Sequence, residues 1–452
     1  MSKNEIINKI KQSDCLKIKI AVSDIDGILR GKIIHKEKFL EIAEKTIGIC
    51  DVIFGWDSND ACYENMQFTS LHTGYPDANA RVDLETLRFI PWENKMPFFL
   101  ADFSAQNGND LAVCPRSLLK RIDKQCEDVG YTPIFSQEFE WYNFENTPSD
   151  LASNNYRDLK PISPGMFGYS ILRPSLKTEY FNALFDDLEK FDIRLEGLHT
   201  ETGPGVYEAA IRYDKIVKAA DKAILFKTSV KEIAYHFGII ASFMAKWNKD
   251  LPGCSGHIHQ SLWDKEKNTN LFFDPHDTYN MSDLMKSYVA GQLKCLPFVV
   301  PMYAPTINSY KRLNCGAWAP GTYTWGIDNR TAAVRVLHNE PYSTRSEMRV
   351  AGSDTNPYLA MAASLASGIY GIRNKLKLDI EPSKGNAYND LKNGMLPSNL
   401  YEATMQMKQS EIAKELFGED FVNHFTDSRL WEWKQYSKQV TDWEIRRYFE
   451  II

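Results

Sequence analysis

Asn308-Ser-Tyr-Lys-Arg312, Asp328-Asn-Arg-Thr-Ala-Ala-Val-Arg335 and Arg345-Ser-Glu-Met-Arg349 fall within one stretch of the chain, Thr306 to Arg349. The stretch carries Arg312, Arg330, Arg335, Arg345 and Arg349, with Glu347 between the last two. Arg345, Glu347 and Arg349 are spaced two apart, so on a strand they share one face. Their neighbours are Ala, Val, Leu, Met, Gly and Trp, among which lone charges are costly to desolvate. A solvated surface is the competing reading of five arginines. Arginines that converge in a partly buried place need anions, and phosphate and carboxylate fit the guanidinium fork.

The whole chain has 452 residues, 43% hydrophobic and 25% charged. That is ordinary globular composition, long enough for two or three domains. A net charge of -6 argues against a nucleic-acid surface. The eight cysteines (15, 50, 62, 114, 126, 254, 295 and 315) are scattered without a CxxC pair. This fits reduced thiols in a cytoplasmic compartment, not a disulfide frame or a zinc site. The polar N-terminus does not read as a signal peptide, and no apolar run of about 18 residues predicts a membrane span.

Residues 2–12 read as a helix. Leu16 to Asp24 alternates like a strand, and Asp24-Ile-Asp-Gly27 reads as a hairpin turn before Leu29-Arg-Gly-Lys32. Val52 to Asp60 precedes a polar loop, and Phe98–Phe103 is strand-like. Residues 1–108 therefore read as a small mostly-β domain, closed by a polar break at Asn107. Pro115 opens an amphipathic helix with Leu118, Leu119, Ile122 and Cys126 on one side. Further helices are expected near 174–190, 214–237, 281–294, 355–374, 401–416 and 428–449. Trp431, Trp433, Tyr436 and Trp443 form a packing stripe in the last of these.

Carboxylates recur between these helices. Phe135 to Phe144 reads as a strand with Glu138 and Glu140 on one face, Phe139 and Trp141 on the other. Gly203-Pro-Gly205 is a turn that lets Glu201 and Glu208 converge. Ile239 to Lys246 reads as an apolar strand leading to Ser255-Gly-His-Ile-His-Gln-Ser261, where His257 and His259 share a face. A half-exposed strand and satisfied core histidines are the bland readings of these pieces.

Together these motifs, from near Ile20 to Ile372, resemble the glutamine synthetase superfamily, the ATP-dependent glutamate–ammonia and glutamate–amine ligases. The resemblance implies an α+β fold: a β-grasp-like N-terminal domain (1–108), then a glutamine-synthetase-type catalytic α/β domain (109–452) with a curved antiparallel sheet. By position, Glu138, Glu140, Glu201, Glu208, His257 and Glu347 match the family's metal ligands. Glu196, His259, Ser261, Arg335 and Arg345 match nucleotide and phosphate contacts. Gly253, Arg312 and Arg349 match glutamate contacts, and Arg330 matches the arginine that spans phosphate and substrate. Arg330 and Arg335 are then the expected catalytic residues. Two carboxylates ~4 Å apart repel by about 4 kcal/mol at an effective dielectric of about 20, so clustered glutamates need cations or protons. Oxygen-rich ligands select Mg²⁺, or Mn²⁺ in its place, and the resemblance implies two or three per site.

Two positions depart from the family pattern. Pro252 stands where an asparagine usually precedes the glycine of the glutamate-binding loop. Trp318, in Gly316-Ala-Trp-Ala-Pro320, stands where ammonia-using members carry the acid that binds ammonium. Trp318 is thus the expected amine-site residue. The resulting expectation is an ATP-dependent γ-glutamyl-amine ligase, similar to glutamate–putrescine ligase. Its substrates would be L-glutamate, ATP and an amine; neither nucleic acid nor membrane is an expected partner. It would assemble as a homo-oligomeric double ring, a dodecamer ahead of a decamer, with N-terminal loops reaching a neighbour's site. Glutamine synthetase proper is one alternative, with Asp57 or Asp60 replacing the missing acid. A non-catalytic lengsin-like structural homologue is another, although it would have no reason to keep repelling acids. Tyr401 resembles an adenylylated tyrosine, but the Glu-Ala-Thr that follows departs from that site, so it reads as packing.

Overall fold

The computed structural model describes every residue except 65, 106–107, 315–317 and 339. The break at Asn107, Cys315 and the flap residues Gly316 and Ala317 lie outside the described residues.

Two sheets organise the chain. The first contains β1 (Lys17–Ser23), β2 (Leu29–His35), β3 (Ile47–Cys50), β4 (Asp77–Val82), β5 (Arg88–Ile90) and β6 (Met96–Ser104), in the order β2-β1-β6-β4-β3 with β5 on β6. The Asp24–Gly27 turn joins β1 to β2 as expected: Gly27 has φ +78°, and Asp24 Oδ1 accepts the N–H of Asp26 and of Ile28. β1 and β6 pair in parallel, which separates this sheet from a simple meander. Helices α1 (Lys3–Gln12) and α2 (Lys36–Ile42) bury Ile6, Ile10, Phe39 and Ile42 in its core. Leu111, Val113 and Cys114 join the same core. This is the small β-grasp-like unit of the α+β fold.

The second sheet is the larger: β7 (Tyr131–Phe144), β8 (Leu195–Thr200), β9 (Val206–Ile211), β10 (Asp214–Lys215), β11 (Ile240–Ser242), β12 (Ile258–Asp264), β13 (Trp325–Ile327), β14 (Val334–Leu337) and β15 (Arg345–Met348). Its order is β13-β14-β15-β12-β7-β9-β8, with β10 and β11 also on β7. All its pairs are antiparallel except β13 with β14. The long β7 is its spine. Phe135, Gln137, Phe139 and Trp141 are buried beneath the sheet, and Phe139 stacks on Phe226 at 5.8 Å. Glu138 and Glu140 therefore point to the opposite face.

Helices cover the buried face: α3 (Pro115–Asp128), α6 (Ile216–His236) and α9 (Pro357–Arg373) contact β7, and α7 (Asp283–Tyr303) packs on α9. α4 (Pro148–Ser153), α5 (Thr178–Lys190) and α8 (Ile307–Leu313) flank them, and α10 (Leu400–Lys408), α11 (Glu411–Phe417), α12 (Glu419–Ser437) and α13 (Asp442–Tyr448) close the chain. α7 and α9 cross at glycines. A Cβ on Gly291 would lie 2.3 Å from the Ser367 carbonyl oxygen and 2.6 Å from Gly371 Cα, so only glycine permits this approach.

Four expectations need correction. The region 401–416 is two helices, because Ser410 caps a new one through the Ala413 N–H. The region 428–449 is likewise split: α12 already begins at Glu419, and Thr441 caps the separate α13. Trp443 is therefore not in line with Trp431 and Trp433, and it is 56% exposed. Only Ile240–Ser242 of the expected strand 239–246 is extended in the sheet. The helix expected near 281–294 runs on to Tyr303 through Pro297 and Pro301.

A buried arginine joins the two halves. Arg116 in α3 donates to Asp221 of α6 at 2.8 Å, to Asp102 of β6 at 2.8 Å and to Asp83 beside β4 at 2.9 Å.

Candidate active site

The site is built from register. Across the β8–β9–β7 side, His199 faces Glu208 and Glu208 faces Glu140. Across the β12–β15–β14 side, His259 faces Glu347 and Glu347 faces Arg335. Both rows lie on the side of β7 opposite its buried aromatics.

Among the described residues two groups bring three ligand-type atoms within 4.8 Å of one another: Glu138, His259 and Glu347, and His199, Glu201 and Glu208. In the first, Glu138 Oε1 lies 2.8 Å from His257 Nδ1, and Glu138 Oε2 lies 3.3 Å from His259 Nε2. His257 Nδ1 also lies 3.4 Å from Glu347 Oε1, and its Nε2 is buried without a hydrogen-bond partner. In the second, His199 Nε2 lies 3.2 Å from Glu208 and 3.5 Å from Glu201, and Tyr169 stacks on the imidazole at 4.3 Å. Glu140 is in neither group; its carboxylate accepts the Ser255 N–H at 2.7 Å.

The electrostatics divide these acids. Burial opposes the charge of Glu138, yet His259 and His257 hold its carboxyl well below the usual range. Burial also opposes the charge of Glu347, but Arg349 and His257 hold its carboxyl at about 2. Burial, and then Glu208 facing it, push Glu140 up to about 8. Burial and Arg349 lower His257 to about 4, so its imidazole is neutral and able to ligate. Burial disfavours the charged form of His199, but Glu201 and Glu208 outweigh it and raise the ring to about 9. Such concentrated acids with half-satisfied imidazoles fit hard divalent cations.

Three of the five arginines contact the first group. Arg335 donates to Glu347 at 2.8 Å and to Asp328 at 2.6 and 3.0 Å. Arg349 pairs with Glu347 and donates to the Arg330 carbonyl at 3.0 Å. Arg345 donates to His259 Nδ1 at 3.1 Å and to the Ser343 carbonyl at 2.8 Å. Arg312 is buried beneath Gly253 and donates to the carbonyls of Val350 and Arg349 at 2.9 and 3.1 Å. A Cβ on Gly253 would lie 2.8 Å from Arg312 Cγ, so the glycine is required. Arg330 is exposed on the turn after β13 and lines a cleft of about 510 Å³ with Asp328 and Lys384. Glu196 occupies a β-bulge in β8, an irregularity that re-aims a side chain, and is exposed. Ser261 is buried and accepts the Trp263 indole N–H at 2.9 Å. Trp318 is 52% exposed with φ +59°.

Two participants were not anticipated. His199 shares its face with Glu201 at a two-residue spacing, a signal present in Leu198-His-Thr-Glu201. Asp328, which anchors Arg335, has no local signature. Other residues sit apart from the cluster. Asp57 accepts the Trp431 indole N–H at 3.1 Å, and Asp60 pairs with Arg30 at 2.8 Å. Tyr401 packs against Trp433 at 5.9 Å.

Residues 112–448 match the family model described as "Glutamine synthetase, catalytic domain". Type-1 glutamine synthetase 2 of Dictyostelium discoideum is 54% identical over 99% of this chain and 86% of its own length. Glutamate–isopropylamine ligase of a Pseudomonas species is 37% identical over 96% of this chain and 95% of its own. γ-Glutamylethanolamide synthetase of Streptomyces coelicolor is 34% identical over 98% and 94%. The solved structure of a GmaS/ADP complex superposes with a TM-score of 0.85, at 23% identity, over 98% of this chain and 99% of that one, and so shares the fold. Fold, acid clusters and sequence agree: the chain belongs to the glutamine synthetase family.

Proposed function

We propose that the chain is an ATP-dependent ligase that joins the γ-carboxylate of L-glutamate to an amine. The observation that carries this reading is the pair of acid–imidazole groups on one sheet face, one of them held by the buried Arg335 and Arg349. Mg²⁺ or Mn²⁺, two or three per site, held by Glu138, Glu140, Glu201, Glu208, His257 and Glu347 with His199, would neutralise the acids and draw charge from the ATP phosphates. A γ-carboxylate oxygen of glutamate attacks the terminal phosphorus, and ADP leaves. Arg335, held rigidly by Asp328 and Glu347, and Arg330, on its exposed turn, offset charge on the transferred phosphoryl group. Gly253, Arg312 and Arg349 shape the seat of glutamate, while Glu196, His259, Ser261 and Arg345 line that of ATP. The amine nitrogen then attacks the acyl carbon of γ-glutamyl phosphate, phosphate leaves, and a γ-glutamyl amide results.

The same reading divides the chain at residue 108 and places it in the cytoplasm as a double ring, a dodecamer rather than a decamer. Exposed apolar side chains favour assembly: Met166, Phe167, Ile171 and Leu172 in one loop, and Phe449, Ile451 and Ile452 at the C-terminus. Among the described residues no helix is long and apolar enough to cross a membrane. In the ring, Asp57 or Asp60 of a neighbouring copy would take the proton of the amine.

The amine is a substituted one in this reading, because Trp318 offers an apolar wall and a cation–π face where an ammonium site needs an acid. A phosphate-release assay with glutamate, ATP and a panel of alkyl, hydroxyalkyl, polyamine and aromatic amines tests it. Wild type should prefer one substituted amine over ammonia by more than tenfold in kcat/KM, about 1.4 kcal/mol. Trp318→Glu should narrow that gap. Best turnover with ammonia would make this a glutamine synthetase proper.

A further inference from the structure

Three stretches supply the glutamate seat proposed above: the loop that ends at Gly253, the helix α8 that carries Arg312, and the segment after β15 that carries Arg349. The first turn of α8 touches both of the others. On one side the Thr306 and Ser309 hydroxyls donate to Asp354 Oδ2, at 2.8 and 2.5 Å, and Asp354 lies between β15 and α9. On the other side Asn308 grips the loop. Its Oδ1 accepts the Lys246 N–H at 2.7 Å, and its Nδ2 donates to the Lys246 carbonyl at 2.8 Å. The carboxamide thus pairs with both backbone groups of one residue, as the opposite residue of an antiparallel pair would.

The loop needs such a hold, because residues 243–254 belong to neither strand nor helix. The Cys254 N–H donates to the Ala245 carbonyl at 2.8 Å, and the Tyr142 hydroxyl donates to the Pro252 carbonyl at 3.1 Å. Pro252 has no N–H and no polar side chain to add. The Lys246 ammonium folds back onto the Leu251 carbonyl, and the residue is buried. Held at Lys246, the loop lies directly on Arg312: a Cβ on Gly253 would meet the Ala245 carbonyl oxygen at 2.6 Å and Arg312 Cγ at 2.8 Å. Asn308 and Arg312 are four residues apart, on one side of α8. A shift of the loop therefore moves one wall of the seat against the other.

We propose that Asn308 is a positioning residue: it touches no substrate, but its carboxamide sets the distance between the Gly253 loop and Arg312, and so the fit of glutamate. The proposal rests on the ligase reading above and adds what keeps its glutamate seat in register. A binding group displaced by a fraction of its contact distance loses more than the bond that had held it in place.

Steady-state kinetics on the full chain, with Mg²⁺, ATP and the amine of highest turnover, test it with glutamate varied. Asn308→Ala removes both prongs. Asn308→Asp keeps the shape and the acceptor but sets a carboxylate oxygen against the Lys246 carbonyl, which separates hydrogen bonding from volume. Each should raise KM for glutamate at least fivefold, with kcat within threefold of wild type and KM for ATP within twofold, because groups that grip glutamate in ground and transition state alike act on KM. Loss of folded enzyme alone would lower kcat and leave KM in place. If Asn308→Ala does not fold, Asn308→Asp decides alone. A rise in KM for glutamate below fivefold, a kcat that falls more than threefold, or a KM for ATP that rises in step overturns the role of Asn308 and leaves the ligase reading intact. Absence of glutamate-dependent phosphate release in wild type overturns both.

Discussion

Glu347→Gln separates the structural from the chemical duty of a metal ligand. Glu347 is wholly buried, receives Arg335 and Arg349, and lies 3.4 Å from His257. Glutamine keeps the shape but presents an amide N–H₂ to one of two guanidinium donors, leaves Arg349 without its counter-charge and leaves Arg335 with the more exposed Asp328 alone. Breaking a buried pair in this way costs about 3–5 kcal/mol. Unfolding entropy is about 2.1 cal/mol/K per residue, so for 452 residues that cost lowers Tm by about 3–5 °C. Glu201→Gln is the comparison. Glu201 is only half-buried and leans on Thr202 and His199, so its loss should stay within about 1 kcal/mol. Scanning calorimetry in excess chelator reads the metal-free proteins; ligation assays with Mg²⁺ read the chemistry. Both variants should abolish ligation, and only Glu347→Gln should melt early. A metal-free Glu347→Gln that melts with wild type would refute the account of Glu347 as the counter-charge of the arginines.

Mg²⁺ or Mn²⁺ at about 100 times Kd should stabilise wild type by about 2.7 kcal/mol, raising Tm by about 3 °C, and Glu138→Ala should remove most of that shift; full activity in excess chelator contradicts a metal role. Gly291→Ala should destabilise by about 1–3 kcal/mol, since its methyl meets backbone of α9, and a denaturant midpoint equal to wild type would count against that crossing. His424, buried beside Phe54 and Phe68, is lowered by burial to about 3, so the unfolded chain takes up its proton first. Stability is then undiminished above the unfolded value of about 6.5 and falls as pH drops toward 3; His424→Phe should flatten that fall by up to about 1.4 kcal/mol per pH unit in urea titrations at pH 5 and 6.

Local patterns were legible. Glu138 and Glu140 against Phe139 and Trp141, and Arg345, Glu347 and Arg349, declare their faces by alternation alone. The Asp24–Gly27 turn and the Pro115 helix start carry their own chemistry. What a residue meets across strands was not legible. His199 joins Glu208 through β8–β9 register, and Asp328 reaches Arg335 because β13 runs parallel to β14. Neither contact leaves a mark in nearby sequence. The breaks at Ser410 and Thr441 depend on caps that a long polar–apolar pattern conceals. Roles for individual site residues came from family resemblance, because spacing alone cannot tell a glutamate-binding arginine from one bonded to carbonyls, as Arg312 is.

The three carboxylates on Arg116 bear on modularity. Two of them, Asp102 in the N-terminal sheet and Asp83 just past β4, lie on one side, while Arg116 and Asp221 belong to the helices under the catalytic sheet. A graft of the first 104 residues from a relative that lacked acids at these positions would leave a guanidinium buried with part of its counter-charge missing. A graft that kept both would inherit a ready-made joint. The N-terminal unit is therefore interchangeable only with its acids attached, and the terms of exchange are written at the seam rather than in either core.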